Sequence, residues 1–162
     1  MSELSLASAQ ELSLVVSDPV DPHALLAYSV LLHSNIPLLL VDTKLAIRFC
    51  TPAAASLFQL PGGEKARPLD AIQGVLRDPA LLADARLVLE GHEPVERTVT
   101  TSSNRWYLRR VTAYQTGADS CAGIIVSFAD ITERERNAKE LKVAKQQAEM
   151  ASAANMRRLS SV

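Results

Sequence analysis

Two adjacent arginines in the apolar stretch WYLRRV, Arg109 and Arg110, are the residues of this sequence best placed for chemistry. If the stretch is a β-strand, successive side chains alternate between the two faces of a sheet, so one guanidinium points toward the covered face or reaches out from its edge. A buried cation needs an anion, because an unpaired buried charge costs free energy. That anion is either a protein carboxylate, with Asp70, Asp84 and Glu96 as candidates, or the carboxylate of a small ligand.

The histidines and cysteines do not form the pattern of a reactive or metal-binding site. His23, His33 and His92 lie in separate contexts, whereas ligand histidines come with spaced partners. Cys50 and Cys121 form no CxxC pair, and we interpret them as reduced thiols in small core positions. The sequence carries no phosphate loop, HExxH, GxSxG or DxDxDG motif. It therefore predicts no catalytic residues, no metal site and no enzyme activity for this stretch of chain.

Chain length and charge limit the classes of partner. The 162 residues suffice for one domain with appendages. The 17 basic residues nearly balance the 18 acidic ones, which gives no field that attracts nucleic acid. The longest apolar tract, residues 25–41, is interrupted by polar residues and Pro37, so it is too broken to cross a bilayer. With no signal peptide ahead of it, we expect a cytoplasmic location, no membrane segment in this stretch and no nucleic-acid partner.

Changes in composition divide the chain into four segments. Two Asp-Pro steps end a flexible arm at residues 1–21, and an amphipathic helix follows at residues 22–35. Residues 36–132 form the folded core. From residue 133 to residue 162 the chain has no Gly or Pro and is rich in Ala, Glu, Lys, Gln and Arg, which predicts one long helix.

The order of apolar runs and turn residues within the core predicts an α+β fold. A strand hairpin is followed by a helix capped by Thr51, a short helix or turn, and a buried helix with Asp78 as its cap and Pro79 as its first residue. Three strands then complete the core. This order predicts a five-stranded antiparallel sheet with helices on one face.

A weak heptad pattern runs along the C-terminal helix. Leu141, Ala148 and Asn155 recur every seven residues, and such a stripe is typical of a coiled coil. A helix with so little apolar surface is marginally stable alone, so we expect it to pair with its own copy in a homodimer.

Several segments together resemble the PAS (Per-Arnt-Sim) sensor domain. NIPLLLVDTKLAIRFCTPAAASLFQL is similar to the opening of such a domain, and GIIVSFADITERERNAKEL is similar to its end, where the last strand meets Asp-Ile-Thr and a signalling helix. RPLDAI, DPALLADARLVLEGHEPVER and RWYLRRV resemble the PAS modules of bacterial sensor histidine kinases and of chemotaxis-type methyltransferase fusions. The resemblance covers residues 28–136 and implies the PAS fold and a role in signal transduction.

A second resemblance concerns the helix on the C-terminal side of the domain. AKQQAEMASAANMRRLSSV is similar to the helical stretch ahead of the phospho-acceptor helix in histidine kinases. It implies a covalently linked output domain beyond Val162, such as the kinase of a bacterial two-component system. The 162 residues contain neither a phospho-acceptor histidine in such a helix nor an ATP-binding motif.

In PAS domains a ligand pocket lies between the sheet and a helix that corresponds here to residues 79–90. That helix has no Cys for a covalent flavin and no His for haem, so the resemblance favours neither cofactor, although His92 lies just beyond it. The family pattern turns Arg109 inward, where it would bind a small organic acid, a fatty acid included. The predicted ligand-binding residues are Arg109, Tyr107, Val111, Phe58, Leu81, Leu82, Val88, Val126 and Phe128. The alternative function is a ligand-free dimerisation and interaction adaptor whose pocket is filled by its own side chains.

The Asp-Ile-Thr sequence at residues 130–132, here called the joint, joins the last strand to the long helix without Gly or Pro. We expect Asp130 to cap the helix and to pair with Arg134 one turn later. Ile131 would anchor the first helical turn, and Thr132 would share the capping. The sequence therefore predicts a stiff connection that transmits a change in the sheet to the helix, with a generic strand-to-helix junction as the alternative.

Overall fold

The computed structural model describes residues 22–61, 66–115 and 121–160, so the predicted arm at residues 1–21 lies outside the described residues. The chain divides into two compact units, Met1–Asn35 and Ile36–Val162. The described part of the first unit is helix α1, Pro22–His33, with Leu26 and Val30 exposed. Its last turn is closed by the Ser34 hydroxyl, which donates to the Leu31 carbonyl at 2.8 Å.

The second unit is built on an antiparallel sheet. Its helical elements are α2 (Pro52–Phe58), a 3₁₀ helix (Leu69–Gly74), α3 (Leu81–Leu89) and α4 (Thr132–Ser160). Its strands are β1 (Leu38–Asp42), β2 (Ala46–Cys50), β3 (Arg67–Pro68), β4 (Leu76–Arg77), β5 (Val95–Thr101), β6 (Trp106–Gln115) and β7 (Cys121–Asp130). The strand order is β3-β2-β1-β7-β6-β5-β4.

The sheet has seven strands, so the predicted number of five is wrong. The five predicted strands are β1, β2, β5, β6 and β7, and the two further ones, β3 and β4, occupy the two edges. Each edge strand has only two residues. A two-residue strand is too short to show an alternation of apolar and polar residues, which is why the sequence pattern contains no sign of it.

Local hydrogen bonds explain where the first elements turn. The Asp42 carboxylate accepts from the backbone N–H groups of Lys44, at 2.9 Å, and Ala46, at 3.0 Å, which closes the β1–β2 turn. Thr51 caps α2 as predicted, because its hydroxyl oxygen accepts from the Ala54 N–H at 3.3 Å. The same hydroxyl donates to the Ile36 carbonyl at 2.9 Å, which fixes the entry to β1.

Helix α3 begins two residues later than the sequence predicts. Asp78 accepts a hydrogen bond from the Ala80 N–H at 3.1 Å, so it caps a turn, and the regular helix starts at Leu81. The helix ends at Leu89, and Gly91 has a φ of 93°, the left-handed conformation that glycine supplies after a helix. This placement leaves the buried side chain of Asp78 just ahead of the first turn of α3.

The helix α3 lies over β6 and β7 and covers the inner face of the sheet. The core beneath it consists of apolar side chains that alternate along the central strands. In β6 and β7 these are Tyr107, Val111, Ile124, Val126 and Phe128. One ionised side chain, Arg109, is buried among them with no exposed surface.

The last helix, α4, has 29 residues and is about 43 Å long. Every residue from 136 to 160 is exposed. The predicted stripe of Leu141, Ala148 and Asn155 is therefore open to solvent in this single chain, and the coiled coil stays a prediction. No helix in the described part of the chain is both long and apolar enough to cross a membrane.

Candidate functional site

Arg109 is the inward member of the arginine pair. Its side chain has no exposed surface, whereas the side chain of Arg110 is 55% exposed and lies 3.6 Å from Glu96. The register of the sheet places Arg109 opposite Phe128 on one side and opposite Arg97 on the other. The alternation of β6 thus turns Arg109 toward α3.

The other predicted ligand-binding residues belong to one apolar core cluster or pack against it. Leu82 packs against this cluster from the edge, partly buried. Two of the aromatic rings, Phe58 and Phe128, meet edge to face with centroids 4.9 Å apart. The buried members are Phe58, Leu81, Val88, Tyr107, Val111, Val126 and Phe128.

Two aspartates of the protein itself bind the Arg109 guanidinium. Nη2 of Arg109 donates to Oδ2 of Asp84 at 2.5 Å, and Nε lies 2.6 Å from Oδ2 of Asp78. Both carboxylates are buried, with 3% of each side chain exposed. Of the three carboxylates that the sequence offered as partners, Asp84 therefore fills that role, whereas Asp70 is exposed and Glu96 pairs with Arg110.

A second arginine completes the balance of charge. Asp84 also accepts two hydrogen bonds from Arg97, from Nε at 2.5 Å and from Nη2 at 3.0 Å. Without Arg97, the buried group of Arg109, Asp78 and Asp84 would carry a net charge of −1. With Arg97, whose side chain is 50% exposed, the group is neutral. We call these four residues the core ion network.

The core ion network does not use every polar atom that it buries. Nε of Arg109 and Oδ2 of Asp78 are close but not aligned for a hydrogen bond. Nη1 of Arg109 is buried and has no hydrogen-bond partner among the described residues. The N–H groups of Nη1 are therefore available for a further acceptor.

The arginines hold the pKa of Asp84 below its ordinary value. The largest cause is the hydrogen bonding with Arg97, which together with Arg109 outweighs the opposing effect of burial. Asp84 is thus the anion to which both arginines bind, and α3 carries it onto β5 and β6.

The joint has its own hydrogen-bond pattern. Asp130 Oδ1 accepts from the Thr132 N–H at 2.9 Å and from the Thr132 hydroxyl at 2.6 Å. The Thr132 hydroxyl oxygen accepts from the Trp106 N–H at 3.0 Å, and the Ile131 N–H donates to the Trp106 carbonyl at 2.9 Å. The start of α4 is therefore bonded both to the end of β7 and to the first residue of β6.

Asp130 acts much as predicted at the joint, but with a different cation. Its ion pair is with Arg105, at 3.5 Å, rather than with Arg134. Arg105 immediately precedes β6, which runs beside β7 at this end of the sheet, whereas Arg134 lies on the exposed side of the first helical turn. Burial raises the pKa of Asp130, but hydrogen bonds from Thr132 and the charges of Arg105 and Arg136 together outweigh it, so the pKa is lowered.

Sequence reasoning missed Asp78, Arg97, Arg105 and Trp106. Asp78 precedes a proline, and that pattern indicates only a helix cap. A signal for Arg97 was present, because two arginines directly opposite each other on neighbouring strands repel unless a carboxylate lies between them. The roles of Arg105 and Trp106 depend on which strand end lies beside the joint, and the sequence pattern does not indicate that.

A surface cleft of about 510 Å³ lies apart from the core ion network. It is lined by Thr43, Lys44, Leu45, Arg86, Leu89, Glu90 and Cys121. None of the predicted ligand-binding residues belongs to it. Among the residues that the structure describes, no group of three or more His, Cys, Asp or Glu side chains could hold a metal ion.

Replacing Asp84 with Asn should destabilise the fold far more than removing the charge of Glu96. Asp84→Asn leaves Arg109 and Arg97 with one carboxylate fewer, and we expect a loss of about 3 kcal/mol in the free energy of unfolding at neutral pH. Glu96→Gln removes an exposed pair with Arg110 and should cost less than about 1 kcal/mol. Chemical denaturation of both variants measures the difference, and equal losses would contradict the importance of the network.

The effect of Asp84→Asn should depend on pH. Because the pKa of Asp84 is lower in the folded state than in the unfolded chain, its stabilising effect is complete above the ordinary aspartate pKa of about 3.9 and is lost as the pH falls through the folded value. The gap in stability between wild type and variant should therefore narrow below about pH 4. Urea denaturation of both proteins across this pH range measures the gap, and a gap that stays constant would contradict the lowered pKa.

Comparison with known proteins identifies the fold. A profile of the PAS domain family matches residues 28–132. An uncharacterized 104.1 kDa protein of Rhodobacter capsulatus is 37% identical over 93 residues, which make up 57% of this chain and 10% of that protein. The chain thus spans about a tenth of the curated relative that it matches.

Solved structures agree with the family match. The PAS domain of Bordetella pertussis BvgS aligns with a TM-score of 0.54 at 20% identity, covering 78% of this chain and 99% of that one. The sensor region of a sensor histidine kinase aligns with a TM-score of 0.50 at 18% identity, covering 61% of this chain and 40% of that one. At such identities the likeness concerns the fold. Because the family match spans well over half of the residues, the chain belongs to the PAS domain family.

Proposed function

We propose that this PAS domain is a sensor and relay module that acts by shifting the populations of its conformations, not by catalysis. The observation that carries the proposal is the joint. Asp130 and Thr132 connect the first turn of α4 to both β7 and β6 through hydrogen bonds of 2.6 to 3.0 Å. A displacement of either strand therefore reaches a 29-residue helix without an intervening flexible loop.

The output that we propose is a histidine kinase beyond Val162, in a cytoplasmic two-component sensor. A structurally similar protein is described as the sensor region of a sensor histidine kinase. The sequence that begins at Ala144 also resembles the helix ahead of a phospho-acceptor helix. On this proposal the PAS domain and α4 sense and transmit, and the catalytic domain lies elsewhere in the full-length protein.

The proposed partner of α4 is a second copy of the same helix. Leu141, Ala148 and Asn155 lie on its exposed surface, and Leu141 is 72% exposed. A 29-residue helix with so few contacts to its own domain gains stability when its apolar residues are covered. A homodimer would bring two output domains side by side, and a change in the direction of α4 would change their spacing.

The input that the geometry supports best is a change in protein packing rather than a bound ligand. The charge of Arg109, which would otherwise call for a ligand carboxylate, is matched inside the protein by Asp78 and Asp84. Arg109 has no exposed surface, and apolar side chains on α2, α3 and the sheet form the buried core. This arrangement favours the interaction adaptor over the organic-acid sensor.

Replacing Asp130 with Ala should uncouple the output domain from the PAS core. The change removes the acceptor for the Thr132 N–H and hydroxyl as well as the ion pair with Arg105, so α4 loses its side-chain bonds to the end of β7. In the full-length protein we expect phosphorylation from ATP to lose its dependence on the PAS core, while the fold measured by circular dichroism is retained. Glu133→Ala, in the same helical turn but exposed, is the matched control.

Regulation that is unchanged in Asp130→Ala, with a normal Glu133→Ala control, would remove the joint from the relay. Loss of the folded signal in Asp130→Ala would instead make the joint a stability element. In that case Thr132→Val, which keeps the volume and removes only the hydroxyl, tests the same hydrogen bonds.

One observation favours a second candidate function, the sensing of a small organic acid. Nη1 of Arg109 is buried without a hydrogen-bond partner among the described residues. An unmade hydrogen bond of a buried cation is costly, so a ligand oxygen at Nη1 would be stabilised. The ligand tail would then lie against Leu81, Leu82 and Val88 on α3.

Native mass spectrometry and thermal unfolding separate the two candidates. If packing is the input, the purified chain has the mass of the polypeptide alone, and straight-chain carboxylates from acetate to decanoate leave its unfolding temperature unchanged. A shift at one chain length would support the organic-acid candidate. If the shift persisted in a folded Arg109→Ala variant, Arg109 would not be the residue that binds the acid.

A further inference from the structure

The contact between Lys139 and Trp106 lies outside the joint and takes no part in its hydrogen bonds. Nζ of Lys139 lies 4.7 Å from the centroid of the Trp106 ring, a cation–π contact. Lys139 is on the third turn of α4, and Trp106 is the first residue of β6. The contact therefore joins the long helix to the sheet at a place well beyond the joint.

Trp106 makes contacts to α4 with its backbone as well as with its ring. Its N–H donates to Thr132, and its carbonyl accepts from the Ile131 N–H. The ring then meets Lys139, seven residues beyond Thr132, or about 10 Å along the helix. One residue of β6 therefore contacts α4 at two points along its axis.

Two points of attachment define a direction that one point leaves free. The hydrogen bonds at Thr132 fix where α4 begins, but a helix held only there can pivot. The Lys139–Trp106 contact lies beyond the second turn of α4, in a stretch whose residues, 136 to 160, are exposed. Since Ser160 lies about 42 Å from Thr132, a displacement of 1 Å at Lys139 becomes about 4 Å at Ser160.

We propose that Lys139 is a positioning residue which, through the face of Trp106, sets the direction of α4, and that release of this contact gives the second state of the relay. The proposal rests on the proposed relay function and names the element that changes. The contact is at the surface, where a cation–π interaction shifts an equilibrium by about two- to fivefold. A contact of that strength holds the helix and still allows release by a small change at β6.

Trp106 is the only tryptophan of the 162 residues, so tryptophan fluorescence reports on the surroundings of this one ring. Lys139→Gln removes the charge, Lys139→Arg keeps it, and Lys142→Gln makes the same change at a neighbouring exposed lysine. In the 162-residue chain we expect acrylamide to quench Trp106 more strongly in Lys139→Gln, with wild-type quenching in the other two variants. Equal quenching in Lys139→Gln and Lys142→Gln would overturn the contact while leaving the relay through the joint intact.

A distance measurement tests the direction of the helix. Spin labels are introduced at Thr98 and Ala153, both exposed, in a chain whose Cys50 and Cys121 are replaced by Ser. Excess unlabelled chain is added, so that the measured distances are those within one chain. Lys139→Gln should broaden the distance distribution, and Lys139→Arg should restore it. Altered quenching with an unchanged distribution would overturn the positioning role.

The same variant separates this proposal from the proposed function. In the full-length protein, Lys139→Gln should change the basal output, and Lys142→Gln should not. If Lys139→Gln broadens the distribution but leaves output and its regulation unchanged, the direction of α4 carries no signal, and the relay function itself is overturned while the contact stands.

Discussion

The position of α3 on the sheet depends on the ionic contact between Arg109 and two buried aspartates. An arginine with no exposed surface is tolerated in an apolar core only when carboxylates match it, and here Asp78 comes from just before α3 and Asp84 from its first turn. Arg97 brings the charge of the network to zero. Apolar packing alone is compatible with several rotational positions of α3 about its own axis. Hydrogen bonds from two arginines to one carboxylate select one of these positions.

The strand β6 connects this network to the helix that leaves the domain. Arg109 and Trp106 are three residues apart on it. Arg109 binds the helix over the core. Trp106 binds the start of α4 through its backbone and Lys139, on the third turn, through its ring. A strand hydrogen-bonded on both sides transmits displacement because its backbone cannot deform locally without breaking bonds to its neighbours, β5 and β7.

The sequence predicts the α+β architecture, because apolar and polar residues alternate along the long strands. Alternation leaves open which of Arg109 and Arg110 points inward, and the resemblance to PAS domains assigns that place to Arg109. The sequence predicts that Asp130 accepts from the start of the helix, because capping is local. Thr132 does not share the capping, since its hydroxyl bonds Asp130 and Trp106 instead. The sequence narrows the partner of Arg109 to three candidate carboxylates but does not choose among them, and it does not predict that Asp130 pairs with Arg105. These contacts join residues that are distant in the chain. The contact between Lys139 and Trp106 also joins residues distant in the chain, and the sequence of a charged helix does not indicate which aromatic ring a lysine contacts.

Hydrogen exchange in Asp84→Asn tests most directly whether the core and the joint are coupled through β6. Coupling predicts that backbone amides of α3 and of residues 132–139 both exchange faster than in wild type, by a larger factor than amides of β1, which measure the general loss of stability. Faster exchange confined to α3, with residues 132–139 changing no more than β1, would contradict the coupling of the core ion network to α4.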